Sequence, residues 1–223
     1  MTKGFLVLIP AYNAASTILE LIEKTSKFID RDVMVVVDDG SGDQTSQIAQ
    51  KAGVVVLKHD RNQGKGEALK TGFRYAVENN YDAVITMDAD LQHDPRSLPD
   101  FMRKRGVLPA ILIGTRRMDL KTMPLSRWLS NKLTSTVLSI LSGQSIRDSQ
   151  SGYRLIPIEV IRSVKLESKK YDLESEILVK ASRKGFRINQ VAIDTIYAGG
   201  RSFIRPLTDT GRFLRLMWRS LWW

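Results

Sequence analysis

The 223-residue chain contains no cysteine and no long apolar run. Without cysteine the protein has no disulfide framework, no thiolate zinc site and no cysteine nucleophile, and a reducing compartment is the simplest expectation. No apolar run approaches the roughly 18 residues that a membrane-spanning helix needs. The hydrophobic stretch that opens the sequence is too short for a secretion signal. We therefore expect a cytoplasmic protein, peripheral on the cytosolic face of a membrane if it attaches to one.

The excess positive charge lies in one half of the chain. Residues 1–110 carry 14 Lys and Arg against 15 Asp and Glu, whereas residues 111–223 carry 20 against 9, and the whole chain has a formal net charge of +10. A basic half predicts an anionic partner, which can be a nucleic acid, an anionic membrane or a phosphorylated substrate. The basic residues are not interleaved with base-stacking aromatic residues, and no nucleic-acid-binding motif is present. These features disfavour nucleic acid.

The first half of the chain shows βα alternation. Short continuous apolar runs alternate with segments whose apolar residues recur at helical spacing, which indicates buried parallel strands joined by crossover helices. Because 43% of the residues are hydrophobic and no linker is visible, we expect one α/β domain over residues 1–205 and a C-terminal helix over 206–223. We expect a Rossmann-like, mostly parallel central sheet flanked by helices. The predicted strands are 4–9, 33–37, 54–57, 83–87, 111–113 and 186–196, and the predicted helices are 14–29, 43–52, 67–79, 96–105, 124–141 and 173–184.

The C-terminal segment is basic and amphipathic. At helical spacing Arg212, Arg215 and Arg219 share one face, and apolar residues gather on the opposite face. Such a helix either packs on the core or lies in the interface of an anionic bilayer. Trp222 and Trp223 favour the bilayer, because tryptophan prefers the headgroup layer. We therefore predict peripheral contact with an anionic membrane.

Two carboxylates follow the fourth predicted strand. Asp88 and Asp90 are two residues apart, so in extended backbone their side chains point the same way, and Gln92 follows on that side. Like charges so close repel unless a cation lies between them, although a solvated acidic turn is the alternative. Oxygen ligands suit Mg²⁺ or Mn²⁺, which complete their shell with substrate phosphates and water. Because Asp38 and Asp39 end a neighbouring strand, we predict a metal site of Asp88, Asp90 and Gln92.

Two further groups at the strand ends suggest a nucleotide. Asp38 and Asp39 can accept hydrogen bonds from a ribose or a base, or else stabilise their own loop through Asx turns. The glycine-rich segment 62–68 precedes a helix and can present backbone amides and Lys65 to a diphosphate. It matches neither GxGxxG nor GxxxxGK[ST], because Leu69 stands where the first motif has its third glycine. Dehydrogenase and kinase functions therefore lose their main support.

Six motifs occur in one order, namely IPAYN, VDDGSGD, RNQGKGEAL, DADLQHDP, GTR and DSQSGYR. Together they resemble the inverting family 2 glycosyltransferases of the GT-A fold, over about residues 4–200. Within that family the chain is most similar to the polyprenyl-phosphate glycosyltransferases of the dolichyl-phosphate mannose synthase type. Some of these carry a transmembrane hairpin after the catalytic domain, which is not expected for this sequence. The resemblance implies that Pro10, Ala11, Tyr12, Asp38 and Asp39 hold the nucleoside of a UDP- or GDP-sugar, that Asp88, Asp90 and Gln92 hold the metal and diphosphate, and that later basic residues face a polyprenyl phosphate.

The acceptor decides whether a general base is needed. The departing nucleoside diphosphate requires electrostatic stabilisation, which Asp90 supplies with its ion. A lipid monophosphate needs an arginine clamp but no base, since its oxygen is already anionic near neutral pH, with a second pKa of about 6. The runner-up acceptor is a glycan or lipid hydroxyl in cell-envelope polysaccharide synthesis, with Glu174, Glu176 or Asp148 as its base. The candidate clamp residues are Arg116, Arg127, Arg154, Arg201 and Arg205, of which Arg116 and Arg154 lie in family-like motifs and are, with Asp90, the predicted catalytic residues.

Overall fold

The computed structural model describes residues 4–104, 109–116 and 125–194, with backbone alone at 125–127, and residues 217, 218 and 220. The described strands are β1 (Phe5–Ala11), β2 (Met34–Asp38), β3 (Val55–Lys58), β4 (Ala83–Thr86), β5 (Ala110–Arg116), β6 (Arg154–Pro157) and β7 (Arg187–Ile193). They form one sheet with the order β3-β2-β1-β4-β6-β5-β7. Every neighbouring pair is parallel except the two pairs that involve β6. The predicted mostly parallel α/β sheet is confirmed.

Helices flank the sheet, and the first one is shorter than its apolar spacing predicts. It begins at Ile18 rather than at residue 14, because the preceding amides of Ala14 and Ala15 donate to Thr45 Oγ1 at the start of α2 and to Asp43 Oδ2 in the loop after β2. The helices are α1 (Ile18–Thr25), α2 (Thr45–Lys51), α3 (Lys65–Glu78), α4 (Leu98–Lys104), α5 (Leu125–Ser142), α6 (Ile158–Ser163) and α7 (Asp172–Arg183), with short 3₁₀ turns at Arg31–Val33 and Pro95–Ser97.

The core has two layers, one on each face of the sheet. Successive residues of a strand point to opposite faces. Leu6 and Leu8 of β1 therefore join the apolar cluster under α3, α5 and α7, whereas Val7 and Ile9 join the cluster under α1, α2 and α4. Gly72 lets α3 approach β1, because a Cβ at this position would come within 2.2 Å of Leu8 Cδ1. Burial on both faces explains why the strands read as continuous apolar runs.

The strand β6 and the helix α6 were not expected from the sequence. β6 begins with the charged Arg154 and ends with Pro157, so that only two apolar residues lie between them. It runs antiparallel between β4 and β5, with Arg154 opposite Thr86 and Ile113. Because of this direction, the segment that precedes β6 lies beside the carboxyl ends of β4 and β5. A strand too short to be recognised thus brings the DSQSGYR motif to the edge where the other motifs lie.

Several predictions fall outside the described residues. They are the loop with Arg201 and Arg205, the domain boundary after residue 205, the side chain of Arg127 and most of the C-terminal helix. In the C-terminal segment the described residues 217, 218 and 220 are helical. Within the described part of the chain, no helix combines the length and the hydropathy that crossing a bilayer requires.

Candidate functional site

The carboxyl ends of β1, β2, β4 and β5 lie together at one edge of the sheet, which we call the site edge. The order of strands changes direction between β1 and β4, and open α/β sheets bind ligands at such a point. The loops that follow these strands contact one another. Asn13 N donates to Ser41 Oγ at 2.8 Å, and Thr17 Oγ1 donates to the Ala89 carbonyl at 2.6 Å. The predicted convergence of the decorated strand ends is confirmed.

Asp88 and Asp90 follow β4 at the centre of the site edge. The Asp88 side chain is 28% exposed, and Asp90 Oδ1 accepts a hydrogen bond from the Gln92 amide at 3.1 Å. Leu91 has a left-handed backbone with φ of +64°, which costs an L-residue roughly 1–2 kcal/mol. Such strain persists only where the surrounding structure imposes it, and it clusters at functional sites. The strained turn brings Gln92 back to Asp90.

The residues of this turn fit a hard divalent cation. Two carboxylates and an amide oxygen are ligands that Mg²⁺ and Mn²⁺ accept, with phosphate oxygens and water in the remaining positions. Among the residues that the structure describes, no three histidine or acidic side chains are grouped so that they enclose a metal by themselves. Asp88, Asp90 and Gln92 therefore suit an open site that a substrate phosphate completes.

Lys65, the first residue of α3, lies between two carboxylates. Its Nζ is 2.6 Å from Asp88 Oδ1 and 3.2 Å from Glu174 Oε2. Burial opposes the charged form of Lys65, but the two carboxylates outweigh it and raise the pKa of the ammonium. Burial of Asp88 is likewise outweighed, mainly by the charge of Lys65, so the pKa of that carboxyl is lowered. Both groups are therefore ionised at neutral pH.

Gly152 and His93 close the rear of the acidic turn. A Cβ on Gly152 would lie 2.6 Å from Asp88 Oδ2 and 2.9 Å from Lys65 Nζ, so a larger residue would displace these groups. The Asp88 amide donates to His93 Nδ1 at 3.1 Å, and the His93 ring stacks on Tyr153 with centroids 5.1 Å apart. Burial lowers the pKa of His93 despite the nearby carboxylates. His93 thus supports the main chain of the turn from behind.

The glycine-rich segment 62–68 packs against the protein's own main chain. Two of its amides donate to the Asp39 carboxylate at 2.9 and 2.7 Å. A Cβ on Gly66 would lie 2.6 Å from the carbonyl carbon of Lys169, so this glycine admits a neighbouring segment. The amides of Gln63 and Gly64 are therefore engaged within the protein, and binding of a diphosphate by the segment stays a prediction. Lys65 is the part of the segment that reaches the acidic turn.

Asp38 and Asp39 are buried and hold their own loops. Asp38 accepts hydrogen bonds from the Ser41 amide at 2.9 Å and from Ser46 Oγ. Asp39 Oδ1 lies 2.7 Å from His59 Nδ1, in addition to its contacts with the glycine-rich segment. These contacts agree with the loop-stabilising alternative. Binding of a ribose or a base by the two carboxylates stays a prediction.

The residues predicted to hold the nucleoside also include the end of β1. Pro10 and Ala11 are buried in the sheet, where they pair with Val37 and Asp38 of β2. Tyr12 is exposed at the site edge. The side chain of Tyr12 is therefore accessible to a ligand, whereas Pro10 and Ala11 shape the strand that carries it.

Arg116 ends β5 and forms a two-point contact with Asp148. Its Nε and Nη2 lie 2.7 and 2.8 Å from the two oxygens of Asp148, which is fully buried and also accepts from Asn131 Nδ2 at 2.7 Å. Burial would raise the pKa of Asp148, but the hydrogen bonds and charge of Arg116 lower it. The charge of Arg116 also helps to lower the pKa of Asp88.

Arg154 is buried, and its guanidinium is engaged by the main chain. It donates to the carbonyl oxygens of Ser149, Ser151 and Glu174 at 2.7, 2.8 and 2.5 Å. All three guanidinium nitrogens therefore have carbonyl partners. The prediction that Arg154 contacts the acceptor phosphate is wrong for this structure. Arg154 instead fixes the start of α7 to the segment that precedes β6.

The candidate bases for a hydroxyl acceptor all have internal partners. Glu176 is fully buried and accepts from Lys180 Nζ at 2.6 Å and from two backbone amides, and these hydrogen bonds lower its pKa although burial opposes them. Asp148 is held by Arg116, and Glu174 contacts Lys65. A carboxylate whose pKa is lowered is a weak proton acceptor at neutral pH. Asp148 and Glu176 are therefore unsuited to the role predicted for them.

Comparison of the sequence with models of protein families identifies the family of this chain. The model for "Glycosyl transferase family 2" matches residues 6–164, from β1 through α6. The chain belongs to glycosyl transferase family 2. The resemblance carried by the six motifs is confirmed, and this family 2 protein is a glycosyltransferase.

Relatives and solved structures agree with this assignment. The transferase is 30% identical over 223 residues to a UDP-N-acetylglucosamine–dolichyl-phosphate N-acetylglucosaminyltransferase of Methanococcus voltae. The aligned region covers 87% of this chain and 86% of the relative. It is 30% identical over 199 residues to an undecaprenyl-phosphate mannosyltransferase of Micrococcus luteus, with 84% and 82% covered. Its fold is similar to that of glucosyl-3-phosphoglycerate synthase from Mycobacterium tuberculosis. Crystal structures of that synthase with UDP and Mn²⁺ or Mg²⁺ give TM-scores of 0.70 and 0.72 at 24% and 22% identity, covering 98% of this chain and 78% of that one.

Two features of the site were not expected from the sequence. One is the contact of Lys65 with Glu174, and the other is the close approach of Gly152 to Asp88. The glycine of DSQSGYR was a signal for a close approach, since glycine often marks such positions. A strand with only two apolar residues has no periodic signal, so nothing in the sequence brings this glycine to the end of β4.

Proposed function

We propose that this transferase moves a sugar from a UDP- or GDP-sugar to a polyprenyl phosphate, with inversion and with a divalent cation. The observation that carries the proposal is the meeting of opposite charges at the site edge. The carboxylate of Asp88, followed by Asp90, lies 2.6 Å from the ammonium of Lys65, and Arg116 ends β5 at the same edge of the sheet. A departing diphosphate and an incoming phosphate are both anionic, so the reaction needs positive charge on both sides of the sugar.

The donor side of the proposed site lies at the ends of β1, β2 and β4. Asp88, Asp90 and Gln92 would hold Mg²⁺ or Mn²⁺, which when bound stabilises the negative charge of the departing diphosphate. Lys65 is placed to donate to a phosphate oxygen, since its ammonium lies beside Asp88. The complexes of the M. tuberculosis synthase with UDP and either cation support this choice. The residues proposed to line the nucleoside pocket are Pro10, Ala11, Tyr12, Asp38 and Asp39.

A phosphate acceptor fits the site better than a hydroxyl. A phosphate monoester has a second pKa of about 6, so its oxygen is anionic near neutral pH and attacks without a base. Asp148 and Glu176, two candidate bases, are held in hydrogen bonds that lower the pKa of each. The names of the M. voltae and M. luteus relatives point to the same acceptor class. We propose that Arg116 binds the acceptor phosphate. We also propose that Arg127 and Arg201, whose side chains are outside the described part of the chain, help to bind it.

Arg116→Ala tests this acceptor site. The KM for polyprenyl phosphate should rise about tenfold or more, because a charge-assisted contact with phosphate is lost, whereas the KM for the nucleotide sugar should change less than about twofold. Arg116→Lys should raise the KM for polyprenyl phosphate by a smaller factor than Arg116→Ala does, since lysine keeps the charge but not the planar two-point contact with Asp148. Equal changes in both Michaelis constants would contradict the clamp.

The outer face of α5 supports contact with the membrane that carries the acceptor. Leu129, Leu133 and Ile140 are 59%, 63% and 75% exposed, and their spacing places them on one side of the helix. The opposite side carries Asn131, which holds the Asp148 that anchors Arg116. If this apolar face lay on the bilayer, α5 would connect the membrane surface to the contacts of Asn131, Asp148 and Arg116 on its other side. We propose that the C-terminal helix, 206–223, adds basic charge to this contact beside the transferase domain, 1–205.

Transfer by the 223-residue protein can be tested with radiolabelled UDP- and GDP-sugars, Mn²⁺ and undecaprenyl or dolichyl phosphate. Label should move into the organic phase with one nucleotide sugar, and EDTA should abolish the transfer. Polyprenol without its phosphate is the matched control and should accept no label. Transfer to the free polyprenol at a similar rate would contradict the phosphate acceptor and favour a hydroxyl one.

A further inference from the structure

Lys65 contacts two carboxylates that come from different parts of the chain. Asp88 follows β4, and Glu174 lies in the first turn of α7. The three side chains are largely buried, and the distances from Nζ are 2.6 Å to Asp88 and 3.2 Å to Glu174. One ammonium therefore neutralises the residue proposed to bind the cation and a residue to which the proposed function assigns no role.

A divalent cation and the Lys65 ammonium compete for the same carboxylate. Nζ contacts Asp88 Oδ1, and the main chain at Gly152 lies against Oδ2, where even a Cβ would be 2.6 Å away. A cation bound to Asp88 would thus lie close to a positive charge in a poorly solvated place, where repulsion is strong. Lys65 must therefore withdraw from Asp88 or oppose the cation.

Glu174 is a fixed second partner for the withdrawn ammonium. Its carbonyl accepts a 2.5 Å hydrogen bond from Arg154 Nη1, which holds the start of α7 in place. The start of α3 is held as well, since Gly66 packs on the Lys169 main chain and the Glu67 amide donates to the Lys169 carbonyl at 3.2 Å. With both helix starts fixed, the flexible lysine side chain can shift between two carboxylates already within its reach.

We propose that Glu174 is a positioning residue that acts through Lys65. It receives the ammonium when Asp88 takes up the divalent cation, and it keeps the lysine beside the donor diphosphate. This inference rests on the proposed function, because it requires a cation at Asp88. It also explains the buried Arg154, whose hydrogen bond to the Glu174 carbonyl places this carboxylate next to the acidic turn.

Direct measurement of Mn²⁺ binding to the full chain tests the inference without turnover. Free Mn²⁺ is counted by electron paramagnetic resonance for the native protein, Glu174→Gln, Lys65→Met and the double variant. Glu174→Gln should raise the Kd for Mn²⁺ about tenfold, an effect of the size found within one ionic network. Lys65→Met should lower it, because the competing ammonium is gone. In the Lys65→Met background, Glu174→Gln should change the Kd less than about twofold, because Glu174 then has no lysine to receive.

Glu67→Gln is the matched control. Like Glu174→Gln, it removes one negative charge from the first turn of a helix, here α3. The native Glu67 carboxylate, however, pairs with Lys70 at 2.8 Å instead of with Lys65. It should leave the Kd for Mn²⁺ within about twofold of the native value. An equal weakening by Glu67→Gln and Glu174→Gln would show a general loss of negative charge and would overturn the inference.

The outcomes separate this inference from the proposed function. If the native protein binds Mn²⁺ and Glu174→Gln has the same effect with and without Lys65, the inference fails and the metal site stands. If neither the native protein nor Lys65→Met binds Mn²⁺, with or without an added nucleoside diphosphate, the proposed metal site fails and the inference fails with it. Glu174→Asp withdraws the carboxylate by one methylene but keeps its charge, so it should raise the Kd by an intermediate factor. It replaces Glu174→Gln if circular dichroism shows that the latter is unfolded.

Discussion

The acidic pairs at the ends of β2 and β4 are alike in sequence and opposite in surroundings. Asp38 and Asp39 are buried, and Asp39, with a side chain 4% exposed, accepts hydrogen bonds from backbone amides and His59. Asp88 is 28% exposed, and its main partner is the flexible side chain of Lys65. A carboxylate held by amides cannot release them without unfolding its loop, whereas one held by a lysine can exchange its partner.

The comparison shows which charges at the site edge are available for chemistry. Asp39 and Asp148 each hold a segment of the chain, as Arg154 does through three carbonyls. These groups make the site rigid. At the turn after β4, the contact between Asp88 and Lys65 joins two charged side chains that can move, whereas Arg116 is held in place by Asp148.

The largest effect should follow from a change in the β4 pair. Asp90→Ala should lower kcat/KM by about 10³-fold or more, because the stabilisation of the departing diphosphate is lost. The free energy of unfolding should change by less than about 0.5 kcal/mol, since the Asp90 side chain accepts a local hydrogen bond, from the amide two residues away. Kinetics and urea denaturation measure the two quantities. Activity that survives both this substitution and chelation would show that the metal assignment is wrong.

The β2 pair should respond in the opposite way. Asp39→Ala should lower the free energy of unfolding by about 2–4 kcal/mol, because it leaves two loop amides and His59 without their buried acceptor. Asp60→Ala, an exposed acid near the same loop, is the control and should change it by less than about 0.5 kcal/mol. A stable Asp39→Ala variant that has lost nucleotide binding would instead place Asp39 among the ligand contacts.

The strands could be predicted from the sequence wherever a continuous apolar run marks them. Continuous apolar runs such as that of β1 indicate strands buried on both faces, and β1, β2, β4 and β5 appear where the pattern predicts them. β6 could not be predicted, because its two apolar residues between Arg154 and Pro157 give no periodic signal. Its position is set by its neighbours β4 and β5, which is tertiary information.

The residues that lie together at the site edge could be predicted from the sequence, but their hydrogen-bond and ion-pair partners could not. The spacing of Asp88 and Asp90 places them together, and the convergence of the strand ends follows from parallel sheet geometry. Whether a charged residue faces a ligand or a carbonyl depends on which segment packs behind it. The sequence therefore predicts that Arg154 binds the acceptor phosphate, whereas in the structure the antiparallel direction of β6 turns its guanidinium towards the start of α7.

A substitution in the glycine-rich segment should have a smaller effect, and it tests whether this segment supports the fold or binds a ligand. Gly66→Ala should destabilise the fold by about 1–3 kcal/mol, because its Cβ would overlap the Lys169 main chain. Gly42→Ala is the control, since a Cβ there meets nothing within 4 Å, and it should change stability by less than about 0.5 kcal/mol. Thermal unfolding measures both. A Gly66→Ala variant with native stability but weaker binding of a nucleoside diphosphate would restore the phosphate cradle predicted from the sequence.

The smallest effect concerns Asp148, a fully buried carboxylate held by Arg116 and Asn131, and it should be seen when the pH is lowered. Its pKa in the folded protein is lowered from the ordinary 3.8, as Arg116 and Asn131 outweigh its burial. The unfolded chain therefore binds the proton first as the pH falls. The stability from Asp148 is fully present above pH 3.8 and is lost as the pH falls below that value through the folded pKa. Asp148→Asn has no such proton to bind, so its free energy of unfolding should fall less steeply with pH in this window than that of the native protein. Parallel curves from urea denaturation would show that the carboxylate of Asp148 is not held in its charged form.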